Sequence, residues 1–478
     1  MTKGNNAPTV SHISTRGEAQ IREFANSNLT PETSRQRAAL LLNGKDLARN
    51  VRGLTPEDQT RFVDKVDQTY STVNLQNTRF IAALGNLCSA IERLPTSAVL
   101  STGLEKRSNI AVASGGFTDI WQGDTRDRSV AIRALRMYPA SNLKEAKKIL
   151  WKRVPTWMKL SHENILPFRG VNMTLVQLAL VYDWGQNGNI NQYLALHPRV
   201  SRPSLLLDVA KGLEYLHSLD IPHGDLKGAN VIIDHGGRAR LTEYGLAPIN
   251  SDPRFTVAAT SGVVGTSRWL APEIIIPSRR GNSMSVMESK AVDVFAFGMT
   301  AVEVFTGKIP FEEQRDEVVG LHISRGGRPD MPANAQTIGL TGEMWKFLEN
   351  CWHQNPKKRP TVKEVVRRWQ KFVENINDDD VTPGIREQEE GTCRPRVKTK
   401  ALQPRTKAEA ARLRTMSEAV QPRTNSEVVR PRLTFEAARS SRPEVIQRRP
   451  ELEVIQPGTP VFDPPPTPTR NRCFCGLF

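Results

Sequence analysis

Residues 223–230 read His-Gly-Asp-Leu-Lys-Gly-Ala-Asn, a polar loop held between a helical repeat of apolar residues, Leu205 to His217, and a short apolar run, Val231-Ile232-Ile233. A helix, a charged loop and a strand in that order need a scaffold of both helices and strands to hold Asp225, Lys227 and Asn230 together. Strand and helix signals of that kind run from about residue 105 to 375.

The chain has 478 residues, more than one average domain, so segments flank this core. Residues 1–30 are rich in Asn, Ser and Thr without an apolar period, which predicts a disordered start. Residues 31–100 read as helical. Ala38, Leu40, Leu41, Leu42, Leu47 and Val51 suggest one amphipathic helix. Thr55-Pro56-Glu57-Asp58 is a helix start, with Thr55 as N-cap and Pro56 at the first position, followed by Phe62, Val63, Val66 and Tyr70. A further helix is expected from Phe80 to Leu94. Two readings of this region stand side by side: a bundle docked on the next domain, or loosely packed helices.

Residues 376–478 change character after Asp378-Asp379-Asp380, with Pro and Arg dominant. Arg405, Arg414, Arg423 and Arg432 recur at nine-residue intervals, as do Glu409, Glu418, Glu427 and Glu436. Pro404, Pro422 and Pro431 prevent one continuous helix. The tail reads as disordered, either a repeated recognition segment open to phosphorylation at Ser417 and Ser426 or neutral low-complexity sequence. The net charge of +16 suits anionic membrane surfaces, nucleic acid or acidic proteins, or else solvated tails. No interleaved aromatic-basic motif appears, so no specific nucleic acid is expected. The five cysteines form no disulfide or zinc pattern, which fits a reducing cytosol. Cys475-Gly476-Leu477-Phe478 fits a C-a-a-X box for prenylation, with Cys473 as a second acylation site and Arg470 and Arg472 upstream. These features place the protein in the cytoplasm, at the cytosolic face of a membrane.

The loop resembles the catalytic loop of protein kinases, with Gly224 where most have Arg. Further stations follow in order: His162-Glu163-Asn164-Ile165-Leu166-Pro167, Tyr182 and Asp183 at gatekeeper and hinge, Ala271-Pro272-Glu273, Asp293 at the start of a buried helix, and Arg359-Pro360-Thr361. The wording is similar to the tyrosine-kinase-like group as expanded in fungi. The resemblance implies an α+β bilobal fold, with a β-rich N-lobe and a helical C-lobe. It implies Asp225 as the base for the substrate hydroxyl, Lys227 at the transferred phosphate, Asn230 as a Mg²⁺ ligand, and a buried Glu273–Arg359 ion pair.

Four departures bear on function. The glycine-rich loop reads Ala113-Ser114-Gly115-Gly116-Phe117-Thr118, so Gly115 and Gly116 are what remain of a phosphate cradle. Val130-Ala131-Ile132-Arg133 carries Arg where the family has the phosphate-binding Lys, and no Lys in Asp119 to Gly123 replaces it. Counting back from His162, the αC glutamate is replaced by Arg153, with the nearest acid, Glu145, more than two turns earlier. Arg153 facing Arg133 would repel by about 1–4 kcal/mol. Pro155 in the same stretch would cost about 3 kcal/mol or more in a helix interior, so αC should be broken or swung outward. Finally, Glu243-Tyr244-Gly245 stands for Asp-Phe-Gly. The longer carboxylate suits Mg²⁺ poorly and could instead form a bidentate pair with Arg133 in the phosphate site.

The resemblance implies ATP and Mg²⁺ as ligands; the substitutions imply weak binding and no requirement for either. The resulting expectation is a membrane-tethered pseudokinase that acts as scaffold or allosteric regulator of signalling proteins. Its alternative is an active, slow Ser/Thr kinase.

Overall fold

The computed structural model describes residues 16–71, 77–114, 118–136, 140–246, 249, 267–275 and 289–379. Gly115, Gly116, Cys473, Cys475 and the tail repeats lie outside them.

Five helices come first: α1 (Arg16–Ala25), α2 (Pro31–Leu42), α3 (Leu47–Arg52), α4 (Pro56–Thr69) and α5 (Thr78–Ile91). The helix α1 corrects the expectation that residues 1–30 are all irregular. Its two large apolar residues, Ile21 and Phe24, are too few to show a period, but both are buried, with Phe24 edge-on to Phe62 at 5.9 Å. The leucine-rich stretch is likewise two helices, broken after Asn43, and Leu40 in it is 75% exposed. The Thr55 hydroxyl accepts from Asp58 N at 3.2 Å and starts α4 as its sequence indicates. The buried side chains of these helices join the same apolar cluster as the domain that follows, so they are docked.

The N-lobe is an antiparallel sheet of β1 (Glu105–Lys106), β2 (Ala113–Ser114), β3 (Thr118–Asp124), β4 (Ser129–Leu135), β5 (Phe168–Asn172) and β6 (Ala179–Asp183), ordered β1-β3-β4-β6-β5 with β2 also on β3. Arg133 sits mid-sheet, opposite Ile120 on β3 and Leu180 on β6. Strand alternation sends Val130 and Ile132 to a small cluster with Val181 on one face, and Ala131 and Arg133 to the other.

Between β4 and β5 lie α6 (Ala140–Trp151) and α7 (Val154–Trp157). The break follows from Pro155, which has no N–H to offer Trp151 and whose ring would strike that carbonyl. Pro155 is well placed as the second residue of α7. The segment is broken, and after the break Trp157 is buried and packs edge-on against Phe168 at 5.4 Å.

The C-lobe contains α8 (Ile190–Leu196), α9 (Arg202–Ser218), a hairpin of β7 (Val231–Ile233) and β8 (Ala239–Leu241), α10 (Pro272–Ile275), α11 (Lys290–Thr306), α12 (Asp316–Ser324), α13 (Gly342–Cys351) and α14 (Val362–Asp379). Every residue of α11 from Val292 to Phe305 is buried, making it the central post. α14 packs on α9, where Trp369 Nε1 donates to Pro203 O at 3.0 Å.

Candidate nucleotide cleft and catalytic loop

The loop after α9 is hung on α11. Asp293 accepts from the backbone N of His223 at 2.8 Å and of Gly224 at 2.7 Å, and its Oδ2 lies 2.7 Å from His217 Nε2. Gly224 has φ +79°, a left-handed conformation in which a Cβ is strained. Asp225 N donates to His223 Nδ1 at 3.3 Å. Burial pushes the His223 imidazolium down, against the pull of the Asp293 and Asp225 carboxylates.

The structure brings Asp225, Lys227 and Asn230 together. Lys227 Nζ lies 3.0 and 3.1 Å from the two Asp225 oxygens, and Asn230 Nδ2 donates to Asp225 O at 2.7 Å and to Oδ2 at 3.2 Å. A second buried carboxylate, Glu303, accepts from Gly228 N (2.8 Å), Asn191 Nδ2 (2.6 Å) and Trp269 Nε1 (2.9 Å). Burial raises its pKa, opposed by these donors. Motif reading did not single out Glu303; a lone Glu in an apolar helix was its signal.

A cavity of about 370 Å³ opens between the lobes. One end is apolar, lined by Val112, Ala131, Leu166 and Ile232, beside the strand-to-loop stretch Asp183–Gly185. Asp183 is held by Arg169, whose Nε and Nη2 lie 2.6 and 2.5 Å from its two oxygens. At the other end Arg133 Nη1 pairs with Glu243 Oε1, and both residues are buried. Glu243 has φ +65°. Its segment is threaded on the catalytic loop by Thr242 N to Asn230 O (3.0 Å) and Gly245 N to His223 O (2.8 Å).

Among the described residues Arg133 Nε has no hydrogen-bond partner, and the contact with Glu243 is made through Nη1. Burial lowers the Arg133 pKa to about 10, with Tyr182 and Asp225 opposing the shift. Arg153 falls in the break after α6, where its side chain lies beside Gly245, and Glu145 pairs with Lys148 at 2.8 Å.

Behind the pair runs an aromatic column. Tyr182 is edge-on to Phe168 (5.2 Å), Phe168 to Trp157 (5.4 Å) and Trp157 to Tyr244 (6.1 Å). Sequence reading placed Tyr182 and Tyr244 but missed Trp157, whose only mark was an aromatic next to Pro155. Further on, Arg359 and Glu273 form the ion pair anticipated between those stations, at 2.6 and 2.8 Å.

Residues 107–369 match the family described as protein tyrosine and serine/threonine kinase. The chain belongs to the protein kinase family. Its kinase domain is similar to that of serine/threonine-protein kinase STY46 of Arabidopsis thaliana, 28% identical over 274 residues that cover 56% of this chain and 44% of that protein. Serine/threonine/tyrosine-protein kinase HT1 of the same plant is 26% identical over 274 residues, covering 56% and 66%. The MAP kinase kinase kinase wis4 of Schizosaccharomyces pombe is 24% identical over 269 residues, covering 53% and 18%. The chain thus spans less than half the length of STY46 and under a fifth of wis4.

Kinase domains imply ATP and Mg²⁺, and the two ends of this cleft fit them unequally. The apolar end, lined by Val112, Ala131, Leu166 and Ile232, is of the kind that would receive a planar base. At the other end Glu243, in the metal-binding station, and Arg133, in the phosphate-binding station, lie against one another, which bears on how the cleft would receive a metal-bound triphosphate.

Proposed function

We propose that this kinase-domain protein is a pseudokinase, a signalling scaffold or allosteric partner that requires neither ATP nor Mg²⁺. The observation that supports this above the others is the buried Arg133–Glu243 pair at the phosphate end of the cleft. For Mg²⁺ to bind Glu243 it must displace a guanidinium, and the carboxylate then leaves a buried cation unpaired, an arrangement costing several kcal/mol. Phosphoryl transfer depends on placing charge around the phosphates, so a site that neutralises itself is poorly suited to it. A thermal-shift titration tests the reading: the melting temperature is expected not to rise with Mg²⁺-ATP. A rise of several degrees, with transfer of phosphate to protein that Asp225→Asn abolishes, sinks it.

That second reading, an active Ser/Thr kinase, is favoured by the assembled Asp225, Lys227 and Asn230 and by the names of the relatives. The membrane tether is part of the first proposal. It rests on the basic tail and on Cys473 and Cys475, with signalling proteins and an anionic cytosolic leaflet as partners. Loss of membrane association in Cys475→Ser is the expected result, and unchanged fractionation removes the tether from the proposal.

A further inference from the structure

The N-terminal helices pack against both α6 and α7, the two helices between β4 and β5. α5 packs across the two helices. The backbones approach closely at Gly85, where an added Cβ would lie 2.1 Å from the carbonyl oxygen of Lys152 and 2.8 Å from its carbonyl carbon. Only a glycine lets the backbones meet at that distance. Lys152 follows α6 directly, so the contact falls on the break itself.

A second tie lies beyond α7. Lys159 buries its ammonium 2.6 Å from Asp67 Oδ1 of α4, with 6% and 12% of the two side chains exposed. It also donates to Asp67 O at 3.2 Å, and Ser97 Oγ donates to Asp67 Oδ2 at 2.9 Å, fixing the carboxylate from the other side. Between the two ties stands Trp157, edge-on to Tyr244 and so one residue from Glu243. Arg153 lies in the same interval, 3.5 Å from where a Cβ on Gly245 would be.

We propose that the N-terminal helices are an intramolecular clamp that sets the state of the cleft. Held by Gly85 and Asp67, the α6–α7 break presses Trp157 onto Tyr244 and keeps Glu243 at Arg133. A binding partner that favours the undocked helices loosens the Glu243–Gly245 segment without entering the cleft, by an amount equal to its preference for that arrangement. This deepens the pseudokinase reading, because it names what regulates the same site, and it rests on the closure seen there.

Hydrogen exchange on the full chain tests it. In Asp67→Asn and, separately, in Gly85→Val, amides of residues 153–160 and of Gly245 and Leu246 are expected to exchange about tenfold faster, while α11 keeps its protection. Combining Asp67→Lys with Lys159→Asp should restore much of the slow exchange. The clamp is refuted if the variants loosen residues 16–100 and leave 153–160 and 243–246 as protected as before. It is also refuted if α11 opens together with the helices, since the two are then one cooperative unit. Should Gly85→Val fail to fold, Asp67→Asn carries the same outcomes alone. Stabilisation of the unmodified protein by Mg²⁺-ATP would overturn the non-catalytic reading, yet leave the exchange result to decide the clamp.

Discussion

Arg359 grips Glu273 through both terminal nitrogens, at 2.6 and 2.8 Å, and donates to the carbonyls of Ala291 and His353 at 2.9 Å each. One guanidinium therefore fastens α10, the start of α11 and the loop before α14. Its own side chain is fully buried, whereas 21% of the Glu273 side chain is exposed. Removing the acid alone leaves an uncompensated buried cation. Glu273→Ala should destabilise the domain by about 3 kcal/mol, the low end for a buried pair because of that exposure. Urea unfolding reads this as a lower midpoint at unchanged slope.

The cleft makes a prediction in the opposite direction. Replacing both members of the buried pair, Arg133→Lys with Glu243→Asp, shortens each side chain and returns the charges that a Mg²⁺-triphosphate can use. The double variant should gain thermal stabilisation by Mg²⁺-ATP beyond that of the parent, for which none is expected under the pseudokinase proposal. Glu243→Gln alone should gain none and should melt lower, because Arg133 keeps its burial and loses its counter-charge. Melting curves with ATP plus Mg²⁺ or plus EDTA separate these outcomes.

Gly224 stands in the left-handed region at φ +79°. Gly224→Ala should cost about 1 kcal/mol, from the strain of a Cβ at that φ. Gly307 has φ +71° as well and no atom within 4 Å of an added Cβ. Gly307→Ala therefore reports the conformational cost without crowding, and similar midpoint shifts in the two variants are expected.

His223 gives the protein an acid-sensitive element. Its folded pKa lies below the ordinary 6.5 because burial opposes the imidazolium. The unfolded chain thus takes up this proton first. The stability from neutral His223 is complete above 6.5 and is lost as pH falls from there through the folded value, at up to about 1.4 kcal/mol per pH unit. His162 shifts the same way, also by burial. Glu303 runs oppositely, since its raised pKa favours the folded state below 4.5 and that contribution is lost as pH rises through the folded value. His223→Gln should flatten the decline between pH 6.5 and 5.5 relative to the parent, and equal declines in both would rule the assignment out.

Much of this was legible because it depends on local order along the chain. The loop His223–Asn230, the cap at Thr55 and the buried run after Asp293 are set by residues a few positions apart, where hydrogen-bonding chemistry and apolar periodicity act directly. Even the Glu273–Arg359 contact, 86 residues apart, could be anticipated, since both ends carry motifs with a fixed relation. Features without a local pattern were lost. Ile21 and Phe24 form a helix that packs on α4, and the leucine-rich stretch divides into two helices that both pack on α1 and α5, contacts made by residues distant in the chain.

The sequence by itself determined that this chain builds a kinase domain and which charges stand at its phosphate and metal stations. Tertiary structure alone decided where those charges point. Arg133 on β4 meets Glu243, 110 residues later in the chain, while Trp157, just after the proline break, packs against Tyr244 beside it. Charge identity is carried by one residue, but the partner of a buried charge is chosen by packing from distant parts of the chain, where burial makes an unpaired ion too costly to leave.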